Sequence, residues 1–169
     1  MKVTSAQAAK ILRRYEDEMY GILTNEELSR EFLAAVGEDV ESVRPAYSYT
    51  ETQAKLEELE NKIRSLKHTI NVFNSTQVVP GFDMTIDQML IYLPQLSRRR
   101  DKLHTMKSKL PKAREAQQYG KTSNIIDYRY MNYDIAEVER DYMSLSDTLA
   151  RAQTALDTVN NTVTFDIDE

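Results

Sequence analysis

The sequence contains no cysteine, and this absence excludes disulfide bonds, thiol catalysis and thiolate metal sites. It holds only four glycines and four prolines, so long regular elements joined by few turns are favoured. No run approaches the ~20 consecutive apolar residues that a membrane-crossing helix needs. Residues 1–5 lack the apolar stretch of a secretory signal, and we therefore expect a cytoplasmic protein with no membrane partner.

The balance of residue types is that of a folded globular chain. Its 169 residues are 29% charged and 41% hydrophobic, which is typical neither of a disordered chain nor of a membrane protein. A chain of this length buries roughly 70% of the surface that its unfolded form exposes. These totals predict a single domain over residues 1–169.

Two stretches carry apolar residues at alternating steps of three and four, the pattern of a long helix that packs lengthwise on a partner. The first contains Tyr49, Thr52, Leu56, Leu59, Ile63, Leu66, Ile70 and Phe73. The second contains Ile135, Val138, Tyr142, Leu145, Leu149, Ala152, Leu156 and Val159. We predict helices over residues 48–74 and 134–161, packed on each other as a central antiparallel pair.

Capping signals and turn residues place the other elements. Thr4 and Thr85 each open a T-x-x-Q capping box, and Ser48 opens an S-x-x-E box. The further predicted elements are an N-terminal helical segment over 1–37, an extended pair at Val78 and Val79, a third helix over 85–110 that Pro94 should kink or restart, an exposed loop over 112–124, and strands over 125–131 and 162–167. The predicted fold class is mainly α, an antiparallel long-helix hairpin or bundle of about four helices with short β segments at the helix ends.

The two long stretches also echo each other. A shift of 86 residues places one on the other, and their capping and stop signals coincide. Either any two capped heptad helices align in this way, or an extended–helix–extended unit is duplicated about a pseudo-twofold axis. If the two helices are antiparallel, residues 76–79 should approach 125–131, and residues 43–47 should approach 162–167.

Charge is unevenly distributed around a net value of −5. Residues 98–114 contain eight basic side chains against one acid, Asp101; they are Arg98, Arg99, Arg100, Lys102, Lys107, Lys109, Lys112 and Arg114. Residues 134–169 contain nine acids against two bases. The simplest use of this asymmetry is a basic helix that lies beside acidic helices, with an ion pair expected for Arg100. The alternative is a patch that contacts the phosphates of a nucleic acid, which the acidic total disfavours.

The sequence gives few signs of catalysis. His68 and His104 lack the spacing of a zinc site, and the di-iron E-x-x-H pattern is absent, with only a D-x-x-H formed by Asp101 and His104. No phosphate-binding glycine loop or nucleophile elbow is present. We therefore predict a protein that is not an enzyme and that carries no metal and no cofactor, with both histidines as ordinary surface residues.

These features predict an interaction or scaffold protein. Apolar residues beside the two helical stripes, Val72, Leu90 and Ile91, indicate self-association as a dimer or higher homo-oligomer, together with an unidentified protein partner. The alternative is a nucleic-acid-associated protein that uses residues 98–114. Tyr128, Tyr130 and Tyr133 could offer a surface on which bases stack, although alternation in a strand favours packing in a core or between subunits.

Several stretches resemble the septicolysin-like family, a group of small, largely uncharacterised bacterial helical proteins. They are INVFNST at 70–76, PGFDMTIDQ at 80–88, NYD at 132–134, ALD at 155–157 and NNTVTF at 160–165. The resemblance covers about residues 50–168 and implies a helical fold. Its family label implies a third function, a cytolysin-like activity, and it supplies no functional residue for this chain.

Overall fold

The computed structural model describes residues 1–115 and 126–167, and within them the chain is mainly helical with short antiparallel strands. The helices are α1 (Ser5–Ser29), α2 (Val40–Val43), α3 (Tyr49–Thr76), α4 (Ile86–Lys107) and α5 (Ile135–Thr162). The strands are β1 (Lys2–Thr4), β2 (Val78–Val79), β3 (Met84–Thr85), β4 (Lys112–Arg114), β5 (Tyr128–Tyr130) and β6 (Thr164–Asp166). The predicted fold class is confirmed.

The chain forms two compact units, and the single domain expected over residues 1–169 stays a prediction. Unit 1 comprises Met1–Gln77 and Thr158–Glu169, and unit 2 comprises Val78–Asp157. Helix α5 therefore contributes its last turn and the strand that follows it to unit 1. The rest of that helix belongs to unit 2.

In unit 1, α1 packs along α3 in the antiparallel direction. Near the end of α1, the Glu26 carboxylate accepts hydrogen bonds from Tyr47 at 2.7 Å and from Gln53 at 2.9 Å, next to and within the start of α3. At the opposite end, Leu66 of α3 shares an apolar core with Ala8 of α1. Within unit 1, the helix that packs along α3 is α1, a partner that the sequence analysis had not assigned.

The start of α1 is set by the predicted capping box. The Thr4 side chain accepts from the amide of Gln7, and the Gln7 side chain accepts from the amide of Thr4, so two of the free amides at the helix start are satisfied. The helix continues through Gly21 without interruption but ends at Ser29. The prediction of a helical segment as far as residue 37 is therefore wrong in its last part. Residues 40–43 form the short helix α2 between α1 and α3.

Strand β1 pairs with β6 and closes the core of unit 1. The register places Val3 opposite Phe165 and Thr4 opposite Thr164. The Phe165 ring stacks on Phe73 of α3, with 4.3 Å between ring centroids. The core of buried Val3, Ala8, Leu66 and Ile167 lies beneath this strand pair.

This pairing corrects the expectation that residues 43–47 lie near 162–167. Strand β6 pairs with β1, next to Thr4, and contacts the last turn of α3. Residues 43–47 lie instead beside Glu26, near the other end of α1. At 1.5 Å per residue, Glu26 is about 33 Å along α1 from Thr4. In an antiparallel pair of helices 48–74 and 134–161, the end of the second helix lies near the start of the first. In unit 1 the strand that follows the second helix lies instead at the end of the first, which contradicts this expectation. The packing of these two helices on each other elsewhere stays a prediction.

Unit 2 begins with a tight hairpin. Strands β2 and β3 pair antiparallel across a turn at Pro80 and Gly81, where Gly81 has a φ of 84° that favours glycine. Thr85 then forms the second predicted capping box with Gln88 and opens α4. The helix runs through Pro94 without restarting and ends at Lys107, short of the predicted residue 110.

The far end of α4 lies beside the start of α5. The Tyr133 hydroxyl donates to the Met106 carbonyl oxygen at 2.9 Å, and the rings of His104 and Tyr142 lie 5.7 Å apart. Strands β4 and β5 pair here as a two-stranded ribbon, with Lys112 opposite Tyr130.

Two predictions around this ribbon are wrong. The exposed loop predicted over 112–124 is strand at 112–114, and its remaining residues 116–124 lie outside the described residues. The expectation that 125–131 approaches 76–79 also fails for β2, because β2 lies at the start of α4 and β5 lies at its end.

The 86-residue echo is reproduced by the helix bounds. Helices α3 and α5 are each 28 residues long, and every residue from Tyr49 to Thr76 has its counterpart 86 positions later. The strand that follows each helix pairs with a strand that precedes a capped helix, α1 in unit 1 and α4 in unit 2. The two units therefore share the same pairing of a strand after a long helix with a strand before a capped helix. The pseudo-twofold axis stays a prediction.

Candidate interaction surfaces

The eight basic residues singled out from the sequence lie on different faces of unit 2. On α4, the Lys107 ammonium sits 4.5 Å from the centroid of the Tyr142 ring, and Arg100 is half-buried. The predicted ion pair of Arg100 is confirmed, and its partner is the neighbouring Asp101, at 2.9 Å. Arg98, Arg99 and Lys102 are exposed, and the four-residue spacing of Arg98 and Lys102 places them on one outward face.

The expected neutralisation of this charge by acidic helices is not found in the described part of the chain. Among residues 1–115 and 126–167, Arg100 alone of the eight has an ion pair, and its partner belongs to its own helix. Lys107 and Lys112 contact tyrosine rings instead of carboxylates.

The β4–β5 ribbon brings basic and aromatic side chains together on its outer face. The Lys112 ammonium lies 4.2 Å from the centroid of the Tyr128 ring and 5.4 Å from that of Tyr130. Arg114 is paired with Tyr128 across the ribbon and shares this face. Both tyrosines are exposed, at 48% and 63%. The expectation that alternation would place Tyr128 and Tyr130 in the core is therefore wrong, and the alternative, packing between subunits, stays a prediction.

The inner face of the ribbon borders a cleft of about 460 Å³ next to the end of α4. Met106, Leu110 and Met131 form part of its apolar wall. At its rim Arg129 donates two hydrogen bonds to the Glu115 carboxylate, at 2.7 and 2.8 Å. These bonds favour the ionised carboxylate and lower the pKa of Glu115, although burial acts in the opposite direction.

We call this region the basic end of unit 2. It consists of Lys109, Leu110, Lys112, Arg114, Tyr128 and Tyr130. The side chain of Leu110 is 68% exposed and lines the cleft, and the exposed Tyr128 and Tyr130 lie beside Lys112 on the outer face. Of the three tyrosines proposed as a stacking group, Tyr133 is separate, because it is half-buried and its hydroxyl is bonded to α4.

Unit 1 has a contrasting surface that the sequence analysis missed. It lies where α1 ends, at the opposite end of that helix from β1. The exposed apolar side chains there are Leu28 at 73%, Leu33 at 95%, Val36 at 109% and Val40 at 46%. Residues 26–44 carry six acids against Arg30 and Arg44. We call this region, residues 26–44, the acidic end of unit 1.

Local contacts hold the acidic end in a defined shape. Glu38 accepts from the amide of Ala35 at 2.8 Å, and Asp39 caps α2 by accepting from the amide of Glu41. Arg44 donates two hydrogen bonds to Glu41 and also lies 5.3 Å from the centroid of the Phe32 ring. Because these contacts use polar groups and Phe32, the side chains of Leu33 and Val36 are left facing water.

The base of the acidic end is tied to α3 through Glu26. The hydrogen bond that Tyr47 donates to the Glu26 carboxylate stabilises the neutral phenol and is the main reason that the pKa of Tyr47 is raised. Glu27 and Glu31 are exposed and form no ion pair with a described residue. They therefore contribute unpaired negative charge to this surface.

The histidines and acids form no metal-binding group in the described residues. His68 and His104 are both exposed, as predicted, and Asp101 of the D-x-x-H pattern is engaged with Arg100. Within residues 1–115 and 126–167, no three His, Asp or Glu side chains lie close enough together to hold a metal ion. None of the described helices combines the length and the apolar character needed to cross a bilayer.

Comparison with known proteins supports the fold. A crystal structure described as a functionally unknown conserved protein from Corynebacterium diphtheriae is similar, with a TM-score of 0.61 over 98% of this chain and 100% of that chain. The sequence identity is 17%, so the similarity shows the fold alone. No protein-family model and no curated protein matches the chain. The septicolysin-like resemblance therefore stays a prediction.

Proposed function

We propose that this protein is a helical interaction protein that associates with further copies of itself, as a dimer or a higher oligomer. The observation that carries the proposal is the exposure of Leu33 and Val36, at 95% and 109%, on a segment fixed by local hydrogen bonds. Burial of a Leu or Val side chain is worth about 1.5–3 kcal/mol. Exposed apolar side chains that lie close together in the chain are a feature of protein–protein contact sites.

Sedimentation velocity over a range of protein concentrations tests this proposal. We expect the wild-type protein to show a concentration-dependent sedimentation coefficient at micromolar concentration. The double substitution Leu33→Ser and Val36→Ser should weaken the association about tenfold or more, since it removes apolar area from the contact. A strict monomer in the wild type throughout this range would remove the proposal.

A matched control is available within unit 2. Leu90 and Ile91 are 50% and 59% exposed, and the sequence analysis associated them with self-association. We expect Leu90→Ser with Ile91→Ser to leave the association within about twofold of wild type. If this control dissociates the protein and the Leu33 and Val36 variant does not, the contact lies on α4 instead.

A second candidate function is favoured by the outer face of the β4–β5 ribbon. Exposed Tyr128 and Tyr130 beside Lys112 and Arg114 combine the aromatic faces and positive charges that bind single-stranded nucleic acid. Fluorescence anisotropy with a labelled single-stranded oligonucleotide would measure this binding. The candidate predicts an affinity that falls steeply with salt, and no binding at low salt would remove it.

The other expectations from the sequence stay predictions. They are the absence of enzymatic activity, a location in the cytoplasm, an unidentified protein partner and the cytolysin-like activity that the family resemblance implies. Of these, the last has a direct test, which is lysis of membranes by purified protein.

A further inference from the structure

We infer that copies of this protein associate through two different surfaces, with the acidic end of unit 1 in one copy docked on the basic end of unit 2 in the next. The inference rests on the proposed function, since it assumes that the protein self-associates. It adds which two surfaces meet. The occupant of each surface is a second copy of this chain, because the two surfaces carry opposite charge and both expose apolar side chains.

The acidic end supplies negative charge around apolar side chains. The six acids of residues 26–44 exceed the two bases by four. Arg44 is engaged with Glu41, and Glu27 and Glu31 have no ion-pair partner among the described residues. Leu28, Leu33 and Val36 lie within the same segment and are largely exposed.

The basic end supplies the complementary features. Lys109 and Arg114 form no ion pair with a described residue, and they lie beside exposed Leu110 and Tyr128. Lys112 adds a third basic side chain to this end, and the acidic neighbour Glu115 is engaged with Arg129. Each end therefore pairs apolar contact area with charge of one sign, and the two signs are opposite.

This charge pattern selects a head-to-tail contact over a symmetric one. A twofold contact through either surface would bring like charges together, which costs several kcal/mol in a desolvated interface. Contact between an acidic end and a basic end brings opposite charges together. Such a heterologous contact leaves one free acidic end and one free basic end, so further copies can add.

The two kinds of interaction have separate roles. Apolar burial supplies most of the affinity, because exposed ion pairs contribute only about 0–1 kcal/mol each. Opposite charge fixes orientation and speeds association, and salt screens it over about 8–10 Å. We therefore expect association to weaken between 50 mM and 500 mM salt without being abolished.

Two charge-reversal variants test the inference, and none of the four side chains that they change forms an ion pair or a hydrogen bond with a described residue. The acidic-end variant is Glu27→Lys with Glu31→Lys, and the basic-end variant is Lys109→Glu with Arg114→Glu. Each alone should weaken self-association about tenfold or more in sedimentation velocity, because each places like charges at the contact. An equimolar mixture of the two should associate nearly as well as wild type, since every acidic surface again meets a basic one.

Two controls carry the same charge changes elsewhere in unit 1. Glu57→Lys with Glu60→Lys matches the acidic-end variant, and Lys10→Glu with Arg64→Glu matches the basic-end variant. All four positions are exposed and form no ion pair with a described residue. We expect both controls to associate within about twofold of wild type. Circular dichroism and thermal melts of every variant verify folding.

The outcomes separate this inference from the proposed function. If the wild type self-associates but the mixture does not recover, the contact between the acidic end and the basic end is wrong and the proposed function stands. If the wild type is a monomer, both fail. If the basic-end variant loses affinity for a single-stranded oligonucleotide while its self-association is unchanged, the basic end serves nucleic acid, and the inference is overturned.

Discussion

Thr4 and Thr85 occupy equivalent positions in the two units. Each caps a helix by accepting from the amide of a glutamine three residues later, in a complete capping box. Each also ends a short strand whose partner strand follows a 28-residue helix, with Thr4 opposite Thr164 and Thr85 opposite Val78. Thr164 and Val78 are themselves 86 positions apart, so the echo extends to the strand register.

This equivalence has a topological consequence. The strand that precedes α1 is paired with the strand that follows α5, and the strand that precedes α4 is paired with the strand that follows α3. The core of unit 1 is complete only when the C-terminal residues 164–167 are in place.

The capping threonines should contribute equally to stability. We expect Thr4→Ala and Thr85→Ala each to lower the free energy of unfolding by about 1 kcal/mol, because each leaves the amide of the glutamine three residues later without its acceptor. Urea denaturation measures this change. Thr105→Ala is the control, since Thr105 is an exposed residue in the last turn of α4 whose side chain bonds only to the Asp101 carbonyl, and its loss should cost less than about 0.5 kcal/mol.

Two members of the predicted apolar stripe of α3 should differ sharply. Leu66 is 6% exposed and lies in the core of unit 1, whereas Tyr49 is 67% exposed at the first turn of the helix. Leu66→Ala should lower the free energy of unfolding by about 2–5 kcal/mol, through lost burial and the cavity that remains. Tyr49→Ala should cost less than about 0.5 kcal/mol. Equal losses in chemical denaturation would place Tyr49 in the core and contradict the structure.

The stacked rings of Phe73 and Phe165 should be energetically coupled. Their centroids lie 4.3 Å apart, and the pair joins the end of α3 to β6. A double-mutant cycle with Phe73→Leu and Phe165→Leu should give a coupling of about 0.5–1.5 kcal/mol. Additive effects within the error of the measurement would show that β6 does not lie against α3.

The Glu115–Arg129 pair should give the ribbon a pH dependence of known sign. The hydrogen bonds from Arg129 lower the pKa of Glu115, so this stabilisation is present above the carboxyl's ordinary pKa and is lost as the pH falls through its lowered value. An NMR titration should find the Glu115 carboxyl below the usual range of glutamate, and Arg129→Gln should shift it upward. An unchanged pKa in this variant would show that the pair does not form in solution.

Features that depend on residues close together in the sequence were predicted correctly. Thr4, Ser48 and Thr85 carry their capping partners three residues away, and the stripe of α5 is buried at Leu145, Leu149 and its neighbours as its spacing indicates. Which elements pair or pack with each other within the chain could not be predicted from such local signals. Strands β5 and β6 lie within longer alternating stretches and were predicted, whereas β1 and β4 lie in no such stretch and are recognisable only from their pairing with β6 and β5.

The candidate site was predicted in part. The basic cluster was visible as a run of charge, but which members share a face depends on the end of α4 at Lys107 and on the ribbon that follows. Leu33 and Val36 continued the helical periodicity of α1 and were therefore assigned to a helix. Their exposure follows from the end of that helix at Ser29 and from the side-chain contacts of Glu38, Asp39 and Arg44.

Because the chain has no cysteine, a cross-linking experiment can test the contact between the acidic end and the basic end directly. Val36→Cys places one thiol on the acidic end, and Leu110→Cys places one on the basic end of a second, affinity-tagged copy. With a short bismaleimide, a mixture of the two should give the mixed dimer as its main product, and either variant alone should give little. Equal or greater cross-linking of each variant with itself would contradict the account.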